Sequence, residues 1–486
     1  VERRWETAEV RNFVSGVWQG AAGGRQAAGR NPGDLADLVS LAPASDVSDA
    51  QQAVAAAKAA LPGWRELGSI RRGELVMRAA GLVRDRREEL AETITREHGK
   101  LLREAAAEVD RTVSVLEFTA GEGRRLGGAT LPADDPHTIA LTRREPLGVV
   151  GLVTPWNFPL AIPAWKIAPA LVSGCTAVFK PSPLTPLTAA LLVECFERAG
   201  VPAGVLNLVH GGREVGEALV KDPDVAGISF TGSLEVGRAI HTAGAPRFLR
   251  TQLEMGGKNA VLVLADADLD AAASAIVAGA FGQSGQRCSA TSRVVVDRRV
   301  HAELCARLVR LTSALKVGNG FQPESAVGPV ISDERLRACL SSIRQAVRGG
   351  AEILVGGGRL TENLPEGYFI QPTVLDNVRT TDFIAQEEIF GPVLSVIECD
   401  GLDDGLAAVN SVRYGMAAAV FTRDASAAFR ALDRIQAGML HLNRPGVGAY
   451  PHMPHVGAKD SQYGPPECSP QVWDFYTEWR TACVSF

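Results

Sequence analysis

From about Leu147 onward the chain alternates short apolar runs with longer stretches of helical period: LGVVGLV, then 161–173, TAVFK, 187–199, VLNLV, 214–220 and AGISF. Apolar runs of about four to eight residues between helix-length segments predict buried parallel strands joined by helical crossovers. A second series, NAVLVL, SRVVVD, AEILVGG and VLSVIE, predicts a second sheet. The fold class is therefore α/β, with two tandem doubly wound units rather than one large sheet. Before Leu147 the period is helical. An Ala-rich helix is capped by Ser48 or Asp49 and ends before Pro62-Gly63, and two more helices cover roughly 71–99 and 101–122. The first 45 residues, rich in Gly and Ala (GAAGGRQAAGRNPGD), predict a surface wrap. The stretch from Trp473 to Phe486 alternates partially and predicts a terminal strand that pairs outside its own domain.

A length of 486 residues exceeds what one simple core holds and implies two or three packed domains. A hydrophobic fraction of 46% with 22% charged residues is that of an ordinary globular chain, and a net charge of -5 gives no reason to expect a nucleic-acid or membrane partner. No apolar run approaches the roughly 20 residues that cross a bilayer, and VERRWETAEVRNF does not read as a signal peptide. The eight cysteines are scattered without CxxC pairs, so neither a disulfide framework nor a metal site is expected. Reduced thiols in a cytoplasmic protein follow, with Cys288 set apart.

Cys288 lies in GQSGQRCSA, where small neighbours let a ligand approach the backbone. A thiolate nucleophile needs nearby positive charge, and Arg287 is adjacent. Alone, a cysteine in such a segment is more often structural. Glu254, in LEMGGKN, lies 34 residues upstream, and a carboxylate near a thioester can deprotonate water. Asn157, in TPWNFPL, follows the strand LGVVGLV, and its amide can serve a developing oxyanion. Lys180 and Ser182, in KPSPLTP, and Gly232 and Ser233, in SFTGSLEVG, follow strands and open helices, as groups that hold ribose or phosphate do. The latter lacks the usual dinucleotide fingerprint.

In order and spacing, TPWNFP, KPSPLTP, FTGSLEVG, LEMGGK, GQRC and EEIFGPV at 387–393 resemble the aldehyde dehydrogenase superfamily, and the similarity runs over nearly the whole chain. The texture of GMLHLNR and of the tail is similar to the α-ketoglutaric semialdehyde dehydrogenase branch. The resemblance implies that Cys288 is the nucleophile, Glu254 the general base and Asn157 the oxyanion amide. It places Lys180, Ser182, Pro183, Trp156, Gly232, Ser233, Glu388 and Phe390 about a nicotinamide cofactor, with Lys166 and Glu467 in support. It implies a cofactor domain (1–123 and 146–255), a catalytic domain (256–450) and a small β arm (124–145 and 470–486) that joins subunits into a homodimer or homotetramer. Glu254 argues against the branch that passes its acyl group to coenzyme A.

Two departures bear on specificity. Relatives that prefer NAD often carry a Glu where this chain has Pro183, so NADP is tolerated or preferred. His455 replaces an aromatic wall residue, Val456 and Gln462 replace glycines, and Arg111, Arg287 and Arg444 are expected to converge on the substrate tunnel with Phe158, Trp165 and Ser289. That set favours a small aldehyde bearing carboxylate, phosphate or phosphonate. The alternatives are a dehydrogenase of neutral aromatic or aliphatic aldehydes, with the arginines in solvent, and a catalytically dead binding protein. Intact Cys288, Glu254 and Asn157 argue against the last.

Overall fold

The computed structural model describes residues 5–446, 448 and 450–486; Val447 of HLNRPGVG and the first four residues of the amino-terminal segment lie outside them. Every position of Val149–Val153 and Thr176–Lys180 is buried, as a central strand covered on both faces requires. Five parallel strands stand in the order Arg250–Glu254, Val225–Thr231, Val149–Val153, Thr176–Lys180, Leu206–Leu208. The first in the chain is central, so the sheet grows outward to one side and then to the other. A crevice opens where this order reverses, at the carboxyl ends of Val149–Val153 and Val225–Thr231.

The strand Arg250–Glu254 escaped the sequence reading because RTQLE is polar. Its Thr251 and Gln252 are nevertheless buried, Gln252 accepting from the Ser229 hydroxyl and donating to the Pro465 and Pro466 carbonyls. The amino-terminal segment is not a simple wrap: Asn12–Val14 and Val17–Gln19 extend the sheet. Buried Asn12 holds them there, donating to Ser45 Oγ (2.8 Å) and accepting from the backbone N–H of His210 (2.9 Å).

The second sheet orders six parallel strands as Thr373–Asp376, Val393–Cys399, Thr291–Asp297, Asn259–Val263, Ala417–Phe421, Met439–Leu442. Three of these were not anticipated. Conversely, AEILVGG supplies Glu352–Val355, an antiparallel edge strand with exposed Ile353, not a buried parallel one.

The Ala-rich helix is Val47–Glu66, and its cap is Asp46, two residues before Ser48 and three before Asp49. The Asp46 carboxylate accepts from Ser48 N–H, and Asp49 reaches back to Asp46 N–H. The helix continues through Pro62 because Trp64 beyond it is buried, its Nε1 donating to the Leu171 carbonyl at 3.1 Å. Tertiary packing there outweighs the lost helical hydrogen bond. The segment 71–99 divides at Arg86 into Ser69–Asp85 and Arg87–His98, followed by Leu102–Glu122. Among the described residues, no helix is long and apolar enough to cross a membrane.

The terminal strand begins only at Thr477, since Trp473–Tyr476 is a helical turn buried in the first core. Thr477–Ser485 pairs antiparallel with Thr138–Pro146, which also holds Thr130–Leu131, forming a three-stranded arm.

Candidate active site

Asn157 sits in the loop that leaves Val149–Val153, and a buried ion pair fixes that loop. Lys100 Nζ lies 2.7 Å from a Glu108 carboxylate oxygen and 2.7 Å from the Asn157 carbonyl. The other Glu108 oxygen accepts from the backbone N–H groups of Leu160 and Ala161, at the start of the helix Ala161–Ser173. Two wholly buried charges are tolerable only with such complete pairing, and here their partners set the backbone at Asn157 and just after it. The Asn157 Oδ1 is buried and makes no hydrogen bond, so the side chain is aimed by its backbone alone.

Two cavities meet at Cys288. One, of 290 Å³, is lined by Trp156, Asn157, Gly232, Ser233, Glu388 and Phe390 among others; the second, of 270 Å³, by Arg111, Phe158, Trp165, Glu254, Arg287, Ser289 and His455 among others. Cys288 follows a turn in which Gln283 and Ser284 both take positive φ (51° and 55°), strain of the kind that gathers at functional sites. Asn259 clamps the far side, its Nδ2 donating to the carbonyls of Cys288 (2.7 Å) and Ala290 (2.9 Å). A Cβ at Gly257 would lie 2.8 Å from the Cys288 carbonyl, so glycine is required there.

The Cys288 thiol is pushed up to about 12 by desolvation and by the Glu388 and Glu254 carboxylates, against the Ser289 backbone N–H and the Arg111 guanidinium. Arg287, whose guanidinium donates to the Ala278 carbonyl at 3.0 Å, interacts with the thiol electrostatically, but the larger compensating charge is Arg111, from the distant helix Leu102–Glu122.

Glu254 ends its strand fully buried, with neither carboxylate oxygen hydrogen-bonded. Burial, then the Glu467 carboxylate, hold its pKa well above the usual range, opposed by Lys166. Lys166 pairs with Glu467 and donates to Ser229 Oγ (2.8 Å), and both charges act on the Glu254 carboxyl.

In the first cavity, Ser233 caps the helix Leu234–Gly244, and Gly232 leaves no room for a Cβ against the Phe230 ring. Trp156 meets the Phe390 ring edge-on at 5.3 Å, and Phe390 holds a positive φ of 55°. Glu388 accepts from Gly257 N–H (2.9 Å), and burial raises its carboxyl to about 7. Lys180, Ser182 and Pro183 lie beyond this cavity's lining. Lys180 ends the neighbouring strand, in register with Val153, and donates to the Pro181 and Gly211 carbonyls, while burial lowers its pKa to about 8. Ser182 Oγ accepts from Leu184 N–H, and Pro183 is exposed.

In the second cavity only two of the three expected arginines converge. Arg444 is exposed, its contact being the Tyr450 hydroxyl at 3.3 Å, because its strand ends at Leu442 and the chain turns out to the surface. Arg111 lies 5.1 Å from the Trp165 ring, and the Nε atoms of both Arg111 and Arg287 are buried without a partner. The nearby acids are otherwise engaged: Glu108 with Lys100, and Glu104 with the backbone N–H groups of Gln283 and Leu101. His455 packs 5.0 Å from the Trp165 ring and, at a pKa of about 3 from burial and the Arg111 and Lys166 charges, is a neutral wall. Lys100, Glu108 and Gln283 were missed from sequence. Nothing local marks them, since their partners lie 57, 52 and 179 residues away.

A sequence model described as "Aldehyde dehydrogenase family" matches residues 18–482. The chain is 41% identical over 475 residues to the α-ketoglutaric semialdehyde dehydrogenase of Bacillus subtilis (strain 168), covering 97% of each. It is 40% identical over 434 residues to the 2,5-dioxopentanoate dehydrogenase of Saccharolobus solfataricus, covering 89% of this chain and 90% of the relative. It superposes on the crystal structure of betaine aldehyde dehydrogenase from Staphylococcus aureus in complex with NAD+ with a TM-score of 0.95 and 33% identity, over 98% and 95% of the two chains.

Proposed function

The chain belongs to the aldehyde dehydrogenase family, and from that membership we propose that it oxidises a small carboxylate-bearing aldehyde to an acid through a thioester on Cys288. It is an NAD(P)-dependent oxidoreductase. The observation that carries the substrate class is the pair of unpartnered, buried guanidinium N–H groups, from Arg111 and Arg287, in the cavity that reaches Cys288. Unpaired buried donors are costly, and a bound carboxylate satisfies both. The names of the relatives, which specify dioxo and semialdehyde acids, support the same reading.

Arg111 and the Ser289 N–H favour the Cys288 thiolate, whose proton passes to solvent. The sulfur adds to the aldehyde carbon, and the oxygen gains negative charge within reach of the Asn157 amide. The other cavity fits a dinucleotide: a capped helix N-terminus at Ser233, a glycine before it, and Trp156 as an apolar face. A nicotinamide held there, beside Trp156 and Phe390, would supply the hydride acceptor by which the adduct becomes a thioester. Glu254 then takes a proton from water, which attacks the acyl carbon and returns Cys288. Glu388 and Lys180 are assigned to the ribose hydroxyls, and Phe390 to packing beside the ring.

Reduced-cofactor formation with 2,5-dioxopentanoate, malonate semialdehyde, benzaldehyde and hexanal tests the substrate class. Arg111→Met is expected to lower kcat/KM for the two acids roughly 10- to 100-fold, mostly through KM, and to leave hexanal nearly unchanged. A native enzyme that prefers benzaldehyde or hexanal, or an equal loss on all four, overturns this reading.

NADP is admitted because Pro183 presents no carboxylate to a 2′-phosphate. Pro183→Glu is expected to raise the NAD/NADP ratio of kcat/KM about tenfold, a modest effect because the position is exposed and screened. An unchanged ratio removes Pro183 from the specificity argument.

We assign the cofactor, catalytic and arm domains to the ranges the sequence implies. The arm joins chains into a homodimer or homotetramer. Its nine-residue edge strand and exposed Leu131, Ile139, Trp479, Val484 and Phe486 support that, since a long apolar edge invites pairing. All eight cysteines are free thiols, the state that a cytoplasmic compartment preserves.

A further inference from the structure

The catalytic cavities use the amino end of the second sheet, where Cys288 leads into Thr291–Asp297. The carboxyl end of that sheet, where open α/β folds commonly place ligands, has no part in the reaction. There the chain leaves Thr291–Asp297, turns, and begins the helix His301–Ser313. His301 and Cys305, four residues apart, share one face of this helix. Asp376, the last residue of Thr373–Asp376, faces them, and one donor atom from each of the three lies within 4.8 Å of the others.

The geometry within the cluster is specific. His301 Nε2 lies 2.9 Å from Asp376 Oδ1 and 3.4 Å from Cys305 Sγ, so one imidazole nitrogen faces both an oxygen and a sulfur. An ion about 2.0–2.3 Å from each ligand would hold tetrahedral partners ~3.3–3.6 Å apart, so the His301–Cys305 spacing already fits and the Asp376 oxygen has to move by a fraction of an ångström or more. On the other side of the ring, Nδ1 is 3.2 Å from Glu398 Oε1. With the ring proton on Nδ1, beside that carboxylate, the Nε2 lone pair would face Asp376 and Cys305, as in carboxylate–histidine–zinc arrangements.

We propose that His301, Cys305 and Asp376 bind one divalent cation of the zinc class, with Glu398 orienting the imidazole. Mixed nitrogen, sulfur and oxygen ligands suit a borderline ion, not magnesium or calcium. Coordination replaces the thiol proton: as the metal–sulfur bond forms, the Cys305 proton leaves to solvent. Without metal that thiol keeps its proton, since burial and the Asp376 and Glu398 carboxylates push it up to about 12. In sequence the cluster shows only as H-x-x-x-C at 301–305, with Asp376 brought in from a strand 75 residues after His301. The ion ties the helix His301–Ser313 to the neighbouring strand. The strand Thr291–Asp297 separates it from Cys288 by roughly 20 Å.

Cobalt titration of the full chain tests this, in a Cys288→Ala background so that the catalytic thiol contributes no signal. After chelator treatment, one cobalt per chain is expected to give a sulfur-to-cobalt charge-transfer band that zinc displaces. The band is expected to vanish in Cys305→Ser, and affinity to fall roughly 10- to 100-fold in Asp376→Asn and Glu398→Gln. Glu398 is half-exposed, so its amide variant keeps the fold intact and the comparison meaningful. An imidazolium merely held between two carboxylates would give no band in the parent chain. That result, a band that survives Cys305→Ser, or unchanged affinity in the two amide variants, overturns the proposal.

Discussion

Replacing Cys288 by alanine is expected to remove aldehyde oxidation, with kcat/KM falling on the order of 10⁴-fold or more. No other thiol can take over. Cys175, Cys195, Cys305, Cys339, Cys399 and Cys468 are buried, and Cys483 lies on the exposed arm strand. The loss should be chemical and not structural: the cysteine's backbone carbonyl, not its sulfur, is what Asn259 holds, and alanine retains that carbonyl. Cofactor binding, followed by quenching of Trp156 in the first cavity, is therefore expected to persist while rapid-mixing experiments show no burst of reduced cofactor. Cys483→Ser is the matched control and should leave turnover unchanged. A burst of normal amplitude in Cys288→Ala would falsify the thioester route.

Much of this site was legible in the sequence because the fold delivers it at strand ends. TPWNFP and SFTGS run on from strands of the first sheet that read as apolar runs, so reading those runs also located Asn157 and Ser233. What was not legible depends on long-range contact. The Lys100–Glu108 pair acts on a loop more than 50 residues away. Arg111 and Arg287 look alike as sequence, yet the structure gives Arg111 the larger electrostatic part at Cys288 and ties Arg287 to a helix carbonyl. Arg444 joined them only by analogy of position, and a chain turn two residues past its strand carries it outward. His455 was read as a polar wall favouring anions; burial beside Arg111 and Lys166 makes it neutral, so the arginines alone supply the attraction. Polarity hid the strand Arg250–Glu254 altogether, although Glu254 stands at its end.

Glu254→Gln should separate the two halves of the reaction. The amide keeps the shape of the carboxyl but cannot accept a proton from water, so one equivalent of reduced cofactor per chain should form in a burst. Steady turnover should then fall about 10²- to 10⁴-fold as the thioester waits for hydrolysis. Rapid mixing reads the burst amplitude, and mass spectrometry of the quenched chain reads the acyl group on Cys288. Loss of the burst itself, or undiminished steady turnover, removes Glu254 from the hydrolytic role. The pH dependence has a definite sign. Burial and Glu467 raise the native Glu254 pKa, so the base is charged only as pH climbs, and native turnover should increase toward alkaline pH. Stability moves the other way. A carboxyl whose pKa is raised by folding favours the folded state below its unfolded pKa and loses that contribution as pH rises through the folded value. Neither oxygen of Glu254 has a hydrogen bond to lose, so the glutamine variant should match the native protein in acid and melt higher in alkali. One substitution thus slows hydrolysis while stabilising the chain, the signature of a residue kept for chemistry at a structural cost.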